Sequence, residues 1–197
     1  DNLAATAVLC QYSRLIVDCN RELIDGSAFL ENSDGVDISG NHNLQESEKE
    51  RRASEIYWPY HNAIKDQIVR LKKHSIDPVV ISIHSFTPVI NGNDREWEIG
   101  VLWDKDPVTA EIFLTRLGEA GYLVGDNEPY SGKDPEDFTI DYHAESIGLP
   151  HVGIEISQNL ISHDDGVKRV SNILKEIINA YTIPSKPNNI DTQRSLR

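Results

Sequence analysis

Three short stretches of this chain place reactive side chains where apolar ones are expected. VVISIHSFTP (79–88) is an apolar run with His84 near its far end, beside Ser85. HVGIEIS (151–157) carries Glu155 between two isoleucines, and RLIVDCNREL (14–23) ends its own apolar run in Asp18, Cys19, Asn20 and Arg21. An imidazole can ligate a metal, a carboxylate can take a proton from water, and an arginine can grip an anion through two parallel hydrogen bonds. Brought together, such groups would bind a small acidic molecule and activate a water beside it.

Each group also has a plainer reading. His84 taken alone suits a hydrogen-bonded core histidine, and Asn20 and Arg21 can close a turn and pair with Asp18. Glu155 is harder to set aside, because a carboxylate in a buried strand must be paired, protonated or functional. His163-Asp164-Asp165 looks like metal chemistry but stands where a helix N-terminus wants Asp as its cap. His143 and Glu145, in DYHAE, read as an exposed loop, the alternative being a ligand or a base. Glycine-rich phosphate loops, HExxH and GxSxG are absent from the sequence, so nucleotide binding and serine hydrolysis gain no support.

The elements that must position these groups alternate. Leu3 to Gln11 is alanine-rich and predicts a helix; Arg14 to Cys19 predicts a short strand; Asp25 to Leu44 predicts a long polar loop. From Ser47 to His74, Ile56, Tyr60, Ile64, Ile68 and Leu71 form a helical stripe that Pro59 should either kink or divide into two helices, the second starting near Pro59. VVISIHSF predicts a central strand buried on both faces. Further strands are expected at Glu98–Trp103, Tyr122–Gly125 and His151–Ser157, with a polar loop, DNEPYSGKDPEDF, before the last. Helices are expected at Pro107–Ala120 and Val167–Tyr181, the second with Val167, Val170, Ile173, Leu174, Ile177 and Ile178 on one face. This alternation predicts an α/β fold with a mixed, largely parallel sheet flanked by helices. It reads as one domain over 1–183 followed by a polar tail, 184–197. Ligands in such folds gather at the carboxyl ends of strands.

Bulk properties narrow the partners. At 197 residues, 39% hydrophobic and 26% charged, the chain suits a single globular core. A net charge of -13 argues against nucleic acid and anionic membranes, while a few local arginines can still hold a small anion. No apolar run approaches the roughly 20 residues of a membrane helix. Two cysteines without CxxC spacing fit reduced thiols in a cytoplasm. The start at Asp1, with no methionine anywhere, is read as a trimmed or processed N-terminus.

Taken together, YSRLIVDCNREL (12–23), DGVDISGN (34–41), ISIHSFTPV (81–89), REWEIGVLWDKD (95–106), VGDNEPYSG (124–132) and GLPHVGIEISQNLI (148–161) resemble the N-formylglutamate amidohydrolase family. The resemblance implies a zinc-carboxypeptidase-like fold and hydrolysis of N-formyl-L-glutamate, or a similar N-acyl amino acid, to formate and glutamate, as in histidine breakdown. It implies zinc as cofactor, with His84 as one ligand and the remaining ligands on a histidine-bearing strand upstream of Asp1. Glu155 would be the general base, Asn20 and Arg21 would grip the substrate carboxylate, Arg14 would polarise the scissile carbonyl, and Tyr130 would close over the substrate. Two alternatives stay open: a non-catalytic module of the same fold that binds an acidic ligand or a partner, and a hydrolase of another N-acyl amino acid or small peptide.

Overall fold

Alternation along two strands separates the chemistry of this molecule from its core. The structure, a computed structural model, describes residue 3 and residues 5–74, 76–133 and 137–181. In chain order its elements are a small hairpin of β1 (Asn32–Ser33) and β2 (Val36–Asp37), helices α1 (Glu46–Arg52) and α2 (Trp58–Lys73), strand β3 (Val80–Phe86), and a second hairpin of β4 (Val89–Ile90) and β5 (Asn93–Asp94). Then come β6 (Ile99–Leu102), α3 (Pro107–Glu119), β7 (Val124–Asp126), α4 (Phe138–His143), β8 (His151–Ser157) and α5 (Asp164–Ala180). The four longer strands form one sheet in the order β3-β8-β6-β7. β3 runs parallel to β8 and β6 parallel to β7, while β6 and β8 are antiparallel. The fold is therefore mixed α/β with a mostly parallel sheet, as the sequence predicts.

One face of the sheet is the core. Ile99, Val101, Val152, Ile154 and Ile156 pack there against Phe113 and Leu117 of α3 and Val170, Leu174 and Ile177 of α5. Each such large apolar side chain contributes roughly 1.5–3 kcal/mol by leaving water. The residues between them, Gly100, Gly153 and Glu155, point to the other face, together with Ser82 and His84 of β3. Asp106 caps α3 by accepting from the Thr109 amide, and it also accepts from the His151 amide, tying that helix to the start of β8. Among the described residues no helix is long and apolar enough to cross a membrane.

Several expectations give way. Leu3 and residues 5–11 hold no helix; so short a segment is marginal without an apolar face to bury. Arg14–Cys19 is not a strand but a series of turns, because the Asp18 carboxylate accepts from the Asn20 amide and the Arg14 guanidinium and bends the chain locally. β3 lies at the sheet edge, not its centre, and Ile83 on its outer side is about half exposed (54%). The alternative expected at Pro59 holds, since a second helix, α2, begins at Trp58 with Pro59 in its first turn. A π-helical stretch, Ala53–Tyr57, joins α1 to α2 just upstream and absorbs the missing proline N–H. Asp164 and Asp165 lie in the first turn of α5, after His163 as a cap residue that makes no side-chain cap bond, and Val167 is turned outward. The expected tail from 184 lies outside the described residues.

Candidate active site

The polar face of the sheet floors a cavity of about 520 Å³. Arg14, Asn20, Arg21, His84, Tyr130 and Glu155, the six residues singled out in the sequence, all line it. His84 and Glu155 are register partners on β3 and β8, so their side chains rise side by side. His84 Nε2 lies 2.8 Å from Ser82 Oγ, two residues along the same strand. Glu155 is buried, and its Oε2 has no hydrogen-bond partner among the described residues. Burial pushes its carboxyl up to about 7; Asp137 adds to the rise, and Arg14, Arg95 and Arg21 oppose it. Burial likewise disfavours the charged form of His84.

Glycines open this face. Gly100 pairs with Glu155 on one side and Gly125 on the other, forming a row across the sheet. The loop after β7 folds down onto that row through the Glu128 carbonyl. A methyl group at Gly125 would stand 2.6 Å from that oxygen, and one at Gly100 would run into it. The same loop brings Tyr130 to the cavity, where its hydroxyl accepts from Arg95 at 2.7 Å and its ring lies under that guanidinium. Asn127 fixes the loop's far side by accepting from the amides of Trp103 and Gly132.

The opposite wall is the irregular arm that carries Arg14 to Arg21. With no ladder to hold it, the arm is fixed by side chains. Buried Asn41 donates to the carbonyls of Leu15 (2.8 Å) and Leu30 (2.7 Å). Arg52 donates to the Ile16 carbonyl and to Asn41 Oδ1. Tyr57 donates to the Arg21 carbonyl at 2.9 Å. Within the arm, Arg14 pairs with buried Asp18, though its side chain stays 60% exposed and able to swing towards a ligand. Asn20 is already engaged. Its side-chain oxygen accepts from the Thr139 amide at 2.9 Å, and its amide group hydrogen-bonds to Asp137. Asn20 thus fastens the arm to the N-terminus of α4.

Sequence reasoning missed Asp137, Asn41, Arg52 and Arg95. Asp137 caps α4 by accepting from the Ile140 amide and lines the cavity, and burial raises its pKa while His84 opposes the rise. Its signal was present, since an Asp directly before FTIDY is an N-cap pattern. His143, read as part of an exposed loop, is buried on α4 instead. Its Nε2 lies 2.8 Å from Nδ1 of His61 on α2, and burial pushes both imidazoles down to about 4, so the pair is neutral at pH 7. Glu145 lies beside Lys105 and 3.5 Å from His151, and neither Glu145 nor His143 lines the cavity.

A catalytic zinc ordinarily takes three protein ligands. Among the described residues, no three His, Cys, Asp or Glu side chains are arranged to hold a metal ion. His84 offers one imidazole, already beside Ser82, so these residues do not by themselves fit a zinc centre.

Fold and cavity together define a mixed α/β protein with a polar cavity on one sheet face, towards the carboxyl ends of β3 and β8. The chain belongs to the N-formylglutamate amidohydrolase family, which it matches over residues 1–162. A gene product of Agrobacterium tumefaciens of known crystal structure is 37% identical, with a TM-score of 0.81 over 85% of this chain and 67% of that one. The N-formylglutamate amidohydrolase of Ralstonia eutropha JMP134 is similar in fold, at 17% identity and a TM-score of 0.64 over 83% of this chain and 70% of that one. No curated protein sequence matches the chain.

Proposed function

We propose that the cavity hydrolyses N-formyl-L-glutamate, or a closely similar N-acyl amino acid, to formate and the free amino acid. The observation that carries this reading is a buried carboxylate, Glu155, with one oxygen unpartnered among the described residues, in one cavity with Arg14 and Arg21. Family membership supports amide hydrolysis; the substrate and the residue roles are the proposal. Arg21 binds a substrate carboxylate through its planar fork. Glu155 takes a proton from water as the water oxygen attacks the acyl carbon, and it returns that proton to the departing amine as the C–N bond breaks. Arg14 swings to the developing oxyanion, and Tyr130 covers the mouth. Burial raises the pKa of Asp137 and pushes that of Glu155 up to about 7, which lessens the negative charge an acidic substrate meets at Glu155.

Zinc enters the proposal as an ion that His84 would help to hold and that would lower the pKa of a bound water to about 7. The described residues offer no three-ligand set for it. A single domain over 1–183 and a cytoplasmic setting complete the reading.

The absence of a three-ligand cluster among the described residues favours a second reading, in which the chain binds an acidic ligand without turning it over. Formate release from a panel of N-acyl amino acids, measured beside calorimetry and with or without added zinc, tests both. Formate from the formyl-glutamate member supports hydrolysis, and heat of binding with no product supports the binding module.

A further inference from the structure

The two cysteines meet at the cavity wall. Cys10 is exposed and Cys19 buried, their sulfurs lie 3.7 Å apart, and both line the cavity. They bracket the part of the arm that carries Arg14 and Asp18, a segment with neither helix nor strand to stiffen it. A disulfide needs its sulfurs about 2.05 Å apart, so only a small approach separates this pair from a bond.

We propose that Cys10 and Cys19 are an oxidisable thiol pair, closed by a peroxide into an internal disulfide that staples the Arg14 arm. Cys10, open to solvent, is the entry point. Its sulfur attacks one peroxide oxygen, the O–O bond breaks, and a sulfenic acid forms with release of one water. The Cys19 sulfur then attacks the Cys10 sulfur, the S–O bond breaks, and a second water leaves with the Cys19 proton. The two sulfurs give up two electrons in all and one hydrogen peroxide accepts them. Burial and the neighbouring Cys10 push the Cys19 thiol up to about 12, which protects it from direct oxidation and leaves it to act second. The closed ring restricts residues 10–19 and with them the reach of Arg14. This thiol chemistry does not depend on the hydrolase reading.

The test treats the folded full chain with hydrogen peroxide and reads free thiols, intact mass and amide exchange of residues 10–19. The expected result is a fall from two free thiols to none, a mass loss of about 2 Da from the two hydrogens removed, slower exchange within the segment, and reversal by dithiothreitol. Cys10→Ser should leave Cys19 reduced under the same treatment, because its attack needs a partner sulfur. Oxygen addition without an internal bond, disulfide-linked dimers, or a disulfide that leaves exchange unchanged would each overturn the proposal.

Discussion

His84 and Glu155 stand opposite each other on two parallel strands, so one imidazole and one buried carboxylate share a single face of the sheet. That relationship answers why apolar strands carry such groups. The alternate residues, Ile83, Ile154 and Ile156, serve the other face, where Ile154 and Ile156 join the core. A polar side chain on the cavity face is held away from that core, and the row from Glu155 through Gly100 to Gly125 leaves space above it.

That space is testable at Gly100. A methyl group there would collide with the Glu128 carbonyl and press against the Glu155 side chain, 3.3 Å from its Cβ. Gly100→Ala should lower stability by about 1–3 kcal/mol, as overpacked sites do, and should lift the Tyr130 loop off the sheet. Urea denaturation reads the first effect and tryptophan fluorescence near Trp103 the second. An unchanged midpoint would mean that the loop gives way freely.

The arginines are not interchangeable with lysine. Arg21→Lys keeps the charge and removes the planar fork, so affinity for N-formyl-L-glutamate should fall roughly tenfold or more, the loss of about one charged hydrogen bond. Isothermal titration gives the dissociation constant directly. Equal affinity in the variant would remove Arg21 from substrate binding.

The buried histidine pair sets a pH dependence of stability. The folded protein holds both pKa values near 4, below the ordinary 6.5, first because of burial; His143 disfavours charge on His61, and Lys65 disfavours it on His143. Between those values the unfolded chain binds protons that the folded chain does not, so stability is full above about pH 6.5 and falls as pH drops towards 4. Asp141 and Glu155 have raised pKa values and act in the opposite sense, but they do so equally in any variant of the pair. His143→Gln should therefore lose less stability than the parent between about pH 7 and pH 5. Urea midpoints at the two pH values decide it, and parallel losses would show that the pair does not titrate differently on unfolding.

Much of the sheet was legible because β3, β6 and β8 are short apolar runs and α3 and α5 carry apolar faces at helical spacing. His84 and Glu155 stood out for the same reason, as polar breaks in an otherwise apolar pattern. The edge position of β3 was not legible, since an isoleucine-rich strand reads alike at an edge or at the centre. The stretch from Arg14 to Arg21 misled for a physical reason: besides the local turn at Asp18, long-range hydrogen bonds from Asn41, Arg52 and Tyr57 hold it, and local propensity says nothing of partners 26 or 36 residues away. Asn20 shows the same limit, because its bond to Thr139 spans 119 residues.

The most direct measurement is formate release from N-formyl-L-glutamate by the parent chain and by Glu155→Gln, with binding of the same compound measured in both. The parent should release formate, and the variant should bind comparably but turn over about 10²- to 10⁴-fold more slowly, the usual worth of a general base. Equal rates in the two proteins, or binding by the parent without any formate, would contradict hydrolysis with Glu155 as the general base.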